Sequence, residues 1–109
     1  MRALEINAQD IASIDRVLHE PARLCIMSCL YVVEDADFVF LQTQTGMTGG
    51  NLSSHLKKLK EAGHLKITKA FENDRPRTTI SLTKNGRESF DLYISTVSAL
   101  LKALGCKKP

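Results

Sequence analysis

Thr48-Gly49-Gly50-Asn51-Leu52-Ser53-Ser54-His55-Leu56-Lys57-Lys58-Leu59-Lys60-Glu61-Ala62-Gly63 is the stretch on which the fold turns. Leu52, Leu56 and Leu59 fall at i, i+4 and i+7, the spacing of one helix face. Thr48 is placed to cap the start of that helix, and Gly63 to stop it after Ala62. At about 100° per residue, the face opposite the leucines carries Gly50, Asn51, Ser53, Ser54, Lys57, Lys58 and Glu61. Polar side chains near the helix start can exchange hydrogen bonds with base edges, and the lysines further along can reach phosphates without sequence preference. Gly49 and Gly50 each lower helix propensity by roughly 1 kcal/mol. Two explanations stand: a backbone that approaches a phosphate at the positive end of the helix, or glycines that only shape the turn.

Upstream, Asp37 is a plausible N-cap for a short helix from Phe38 to about Thr45, with Gly46 as a left-handed terminator. Helix, tight turn, helix over about 37–62 is the outline of a helix-turn-helix. Before it, Pro21 suits the first turn of a helix. From Ala22 to Val33 that helix is apolar almost all round, which predicts the buried core element. Earlier still, Ile11, Ile14, Val17 and Leu18 recur at spacings of three and four. They predict one amphipathic helix ending near His19-Glu20, ahead of Pro21.

Downstream the period changes. Leu65 and Ile67 alternate with Lys66 and Thr68, and Ile80 and Leu82 with Thr79 and Ser81, so a β-hairpin is expected over about 64–82 around the polar segment Glu72 to Arg77. Its tip, Asn73-Asp74-Arg75-Pro76-Arg77, offers two arginines on a stiffened turn, able to enter a minor groove or grip phosphates. An ordinary exposed turn looks similar. Thr83 can cap a last helix, about 83–104, which Gly105 ends.

The 109 residues, 43% hydrophobic and 25% charged, fit a single domain spanning 1–109. The longest apolar stretches are too short for a membrane span, and the first residues lack a signal-peptide core, so cytoplasmic residence and no membrane contact are expected. The net charge is only +3, but residues 1–54 carry three basic and seven acidic groups, whereas residues 55–87 carry nine basic and three acidic. A basic segment in an otherwise acidic domain suggests the footprint of a polyanion; a solvated helix face is the plainer explanation. No Ser/His/Asp signature, phosphate loop or paired carboxylate stands out, which argues against an enzyme.

His19-Glu20-Pro21-Ala22-Arg23-Leu24-Cys25-Ile26, Asp37-Phe38 with Leu41, the stretch Thr48 to Gly63, Arg75-Pro76-Arg77-Thr78 and Leu82-Thr83-Lys84-Asn85-Gly86-Arg87 form an ordered set. Over about Ile14 to Tyr93, this set resembles the winged-helix transcriptional regulators of the MarR/ArsR type. The resemblance implies an α+β, mainly α fold: a winged helix-turn-helix with a three-helix core, a β-hairpin wing and N- and C-terminal dimerisation helices. It implies a homodimer on double-stranded operator DNA, with the helix after Thr48 in the major groove. By that similarity Thr48, Asn51, Ser53, Ser54, Lys57 and Lys58 occupy recognition-helix positions and Arg75 and Arg77 the wing; Gly49 and Gly50 join the expected DNA-binding residues through the close approach to a phosphate. The same core would also support a winged helix used for protein–protein contact, which has no need of lysines on the second helix and arginines on the wing together.

The terminal helices carry more apolar surface than a domain of this size easily buries. This predicts self-pairing through Ile11, Ile14, Leu18, Tyr93, Val97, Leu100, Leu101 and Leu104 around a two-fold axis. The chain lacks the close cysteine cluster of metal-sensing ArsR members. Cys25 and Cys29 lie one helical turn apart, Cys106 is alone, and no two of His19, His55 and His64 have metal-binding spacing, so packing roles are expected and no metal or cofactor. A small-molecule effector is not indicated, since the chain is shorter than typical MarR members and has less terminal helix from which to build a cleft.

Overall fold

Glu20 opens the helix around which the chain packs. In the computed structural model, which describes residues 7–105, its backbone is extended. Its carboxylate accepts the N–H groups of Ala22 at 3.0 Å and Arg23 at 2.9 Å, two of the donors that a helix start leaves without intrahelical partners. Pro21 follows at the first position of α2 (Pro21–Val33). One side of α2 is fully buried through Ile26, Met27 and Leu30, but Cys25 is exposed and Val32 is 79% exposed. The all-round apolar pattern therefore overstates its burial, since one flank faces outward. Cys106 lies outside the described residues, as do both ends of the expected domain.

The expected first helix is much shorter than its pattern. α1 (Ala8–Ala12) starts with a capping box between Asn7 and Asp10 and stops at Ser13, whose hydroxyl donates to the Asp10 carbonyl at 2.7 Å. Asp15 then accepts the N–H groups of Val17 at 2.9 Å and Leu18 at 3.3 Å. Such side-chain bonds compete with helix continuation. The spacings of three and four among Ile11, Ile14, Val17 and Leu18 thus run across a helix and a turn.

After α2 the chain forms β1 (Asp35–Asp37), α3 (Phe38–Thr45), α4 (Gly49–Glu61), β2 (Leu65–Glu72), β3 (Arg75–Leu82) and α5 (Lys84–Ala103). The strands make one antiparallel sheet in the order β1-β3-β2. Strand β1 has no counterpart in the expectations. It is three residues long and two of them are acidic, yet Ala36 pairs with Ile80 and joins the core. The other caps fall where the sequence puts them. Asp37 accepts from Phe40 N–H at 2.7 Å, Thr48 from Asn51 N–H at 3.2 Å and Thr83 from Gly86 N–H at 2.9 Å, while Gly46 and Gly63 take left-handed φ values of 70° and 80°.

Leu18, Ile26, Met27, Leu30, Leu41, Leu52, Leu59 and Ile80 are fully buried between the helices and the sheet, and Leu56, Leu65, Phe90 and Tyr93 complete this core. The first turn of α5 crosses the start of β2 so closely that a Cβ on Gly86 would stand 1.8 Å from the His64 carbonyl oxygen. His64 is itself buried, with Nε2 3.3 Å from an Asp15 oxygen. Tyr31 ties α2 to α5: its hydroxyl donates to Asp91 at 2.6 Å, and the Arg87 guanidinium lies 4.7 Å from its ring centre. No helix of the described residues is long and apolar enough to cross a membrane.

Candidate nucleic-acid interface

Helix α4 separates its two faces cleanly. Leu52, Leu56 and Leu59 are buried, whereas Thr48, Gly50, Asn51, Ser53, Ser54, Lys57 and Lys58 are exposed and Gly49 is half-buried. Thr48 satisfies the Asn51 N–H, and the glycine amides before it sit at the positive end of the helix dipole. A Cβ on Gly50 would meet nothing within 4 Å, so packing within the chain does not require a glycine there. Lys57 lies 4.0 Å from Glu61 one turn on, an exposed pair of the kind worth little.

The wing is built by a two-residue turn, Asn73-Asp74, with φ values of 52° and 61°. Positive φ at both central residues marks the turn whose twist matches that of the flanking strands, and Asn and Asp tolerate it. The tip is therefore narrower than the sequence suggests. Arg75, Pro76 and Arg77 lie in β3, opposite Glu72, Phe71 and Ala70. Counting from the turn, Glu72 and Arg75 form a hydrogen-bonded pair and Phe71 and Pro76 a non-hydrogen-bonded one. The N–H that Pro76 lacks would point away from β2, where β1 does not reach, so proline fits this strand.

Alternation along the strands sorts the wing by face. Ile67, Lys69 and Phe71 of β2 share a face with Pro76, Thr78 and Ile80 of β3, the face that packs on the core at its inner end. Arg75 and Arg77 occupy the other face, with Glu72 of β2 and with Asp35 and Asp37 of β1. Arg77 donates to Glu72 at 2.7 Å. That bond and the Glu72 charge, with Asp37 and Asp35 adding to them, push the Arg77 pKa upward. Among the described residues no ion pair involves Arg75.

Between α4 and the wing runs a groove with a cationic rim. Phe38, Leu56, Ile67 and Ile80 line its apolar part, and Ser53, Lys57, Lys60, Lys69 and Thr78 its polar part. The structure thus adds Lys60 and Lys69 to the lysines singled out by sequence. Helix periodicity alone assigned Lys60 no partner face, and Lys69 needed the strand register.

Behind α4, Arg23 joins three segments. Its Nε donates to the Val17 carbonyl at 2.6 Å and its Nη1 lies 3.3 Å from His55 Nδ1 on α4. Burial pushes the neighbouring Glu20 carboxyl up, but the N–H bonds from Arg23 and Ala22, then the charges of His55 and Arg23, outweigh it and hold Glu20 below its ordinary value. His55 and His64 thus serve packing and polar bridging. No group of three or more potential metal ligands occurs among the described residues.

The apolar residues expected at a self-interface divide. Leu18 is fully buried and Tyr93 is 8% exposed within the chain's own core, where the Tyr93 hydroxyl is 2.7 Å from His19 Nδ1. Ile14 and Val97 pack against that core, and Leu100 is half-buried. Ile11, Leu101 and Leu104 remain exposed, joined by Leu92 and Ile94.

Residues 22–101 match the family model of the winged helix DNA-binding domain. An uncharacterized protein of Methanocaldococcus jannaschii is 34% identical over 91 residues, covering 84% of this chain and 99% of its own. The structure of a transcriptional regulator homologue from Pyrococcus horikoshii OT3 is 33% identical with a TM-score of 0.82, over 88% of this chain and 97% of that one. A MarR-family regulator structure from Enterococcus faecalis V583 is 19% identical and shares the fold at a TM-score of 0.73, over 96% and 94% of the two chains. The chain belongs to the winged helix DNA-binding domain family, whose members are DNA-binding regulators and not enzymes.

Proposed function

We propose that this chain regulates transcription as a homodimer on operator DNA, with α4 in the major groove and the β2–β3 wing against the adjacent minor groove. One observation carries the reading: the outer face of α4 is exposed and polar from Thr48 to Lys58, although its leucine face is fully committed to the core. Asn51, Ser53 and Ser54 lie near the helix start, where base edges are reached, and Lys57 and Lys58 further along, where phosphates are reached. Gly49 and Gly50 allow close backbone approach to a phosphate at the helix N-terminus.

Self-association is supported by α5. Its buried residues are Gly86, Phe90 and Tyr93, all in its first half, while Leu101 and Leu104 are 47% and 66% exposed. A helical end with so little cover is marginal in water on its own, and a second copy would supply that cover. Selection of bound duplexes from a random pool tests the proposal: an enriched inverted repeat supports it. Absence of duplex binding at low salt would instead favour a winged helix used for protein contact.

A further inference from the structure

We infer that Phe71 and Pro76 form an apolar wedge that enters the minor groove and opens a base step when the wing docks. This rests on the DNA-binding reading above and specifies what the wing does there. Phe71 is 80% exposed near the end of β2, a position where a large apolar side chain gains nothing from the chain's own core. Its direct partner across the hairpin is Pro76, also exposed. The two form a non-hydrogen-bonded pair, the closer of the two antiparallel spacings, so their side chains stand together on one face. A proline and a type of turn that needs no glycine stiffen the hairpin end that carries them.

Charge identifies the occupant. Phe71 and Pro76 extend the face that carries Lys69, and that face turns toward the groove rimmed by Lys57, Lys60 and Lys69. The acids of the strands here, Glu72 of β2 and Asp35 and Asp37 of β1, lie on the opposite face with Arg75 and Arg77, and Asp74 sits in the turn between the strands. An apolar tip behind a lysine-lined groove matches a sugar–phosphate strand lying in that groove, with the next minor groove beyond it. Proteins that use such tips insert Phe or Pro between base steps and kink the duplex, most readily at flexible pyrimidine–purine steps. The wedge therefore acts as a specificity element through deformability, with no hydrogen bond to a base edge.

The test uses the full chain and a duplex obtained by selection, with 2-aminopurine placed at successive positions of the minor groove beside the half-site and a donor–acceptor dye pair at the ends. Wild-type protein should raise 2-aminopurine fluorescence at one step and shorten the end-to-end distance. Phe71→Ala should abolish both signals and weaken binding by about tenfold, as loss of one stacking contact does, while leaving the salt dependence unchanged. Lys69→Ala should keep the fluorescence signal and reduce the salt dependence. Tight binding by wild type with neither signal, or a Phe71→Ala variant that retains both, would overturn the wedge and leave the DNA-binding reading intact. Loss of self-association in Phe71→Ala would assign the pair to a protein contact and overturn it too. Failure of the wild type to bind any duplex would overturn both.

Discussion

Gly50 and Gly86 both stand in the first turn of a helix, and adding a methyl group should have opposite effects at the two. At Gly86 it would meet the His64 carbonyl at 1.8 Å, so Gly86→Ala forces α5 away from the start of β2 and should cost about 3 kcal/mol of stability in a denaturant melt. At Gly50 the space is open. Gly50→Ala should stabilise the helix by about 0.5–1 kcal/mol yet weaken duplex binding, because the methyl group occupies the approach of the phosphate. A stabilised variant with unchanged affinity would reduce Gly50 to turn shaping. Asn51→Ala should lose about 1–3 kcal/mol on the preferred site and much less on random duplex; equal losses on both would refute base readout. Glu20 titrates below its ordinary value. A depressed carboxyl contributes stability above its unfolded pKa and loses it as pH falls through the folded value. Glu20→Gln should therefore flatten the acid limb of the stability–pH curve, with little change in its slope at neutral pH.

Among the elements, α4 and α5 are legible because two independent signals agree, leucine or aromatic spacing inside and a capping Thr with a left-handed glycine outside, whereas α3 is legible from its caps, Asp37 and Gly46. Where spacing or composition stands without a cap, it misleads. The spacing of Ile11, Ile14, Val17 and Leu18 is satisfied equally by a short helix followed by the turn that Asp15 closes. Apolar composition could not show which flank of α2 stays open, because Val32 at 79% exposure reads the same as buried Leu30. Strand β1 was hidden by its length and its acids. Alternation makes the hairpin legible, but its tip is narrower than the polar segment Glu72 to Arg77: Pro76 resembles a turn former, and only the register shows it opposite Phe71. That register also sets Arg75 and Arg77 behind the face directed at the α4 groove. The two faces of α4 can be separated experimentally. Leu56→Ala should lose about 2–5 kcal/mol of stability with no change in the salt dependence of binding by the folded fraction, whereas Lys57→Ala should do the reverse.

The molecule as a whole is elongated, 65 × 27 × 22 Å, with a radius of gyration of 16.5 Å against about 13 Å for a compact domain of this length. The wing and the second half of α5 extend from the core, and the latter carries the exposed Leu101, with exposed Leu104 at its C-cap. Replacing both with Glu should halve the mass seen by light scattering while circular dichroism stays helical; an unchanged mass would exclude α5 from the interface. Two copies joined there would place two α4 helices against half-sites about one helical turn apart, roughly 34–36 Å. Binding measured by fluorescence anisotropy across a salt series, for wild type and Lys57→Ala/Lys58→Ala, tests most directly that the α4 face is where DNA is held. The account predicts that log affinity falls steeply with log salt, and that each lysine removed makes the slope shallower by about 1 per half-site. Salt-independent binding, or a double variant with the wild-type slope, would contradict it.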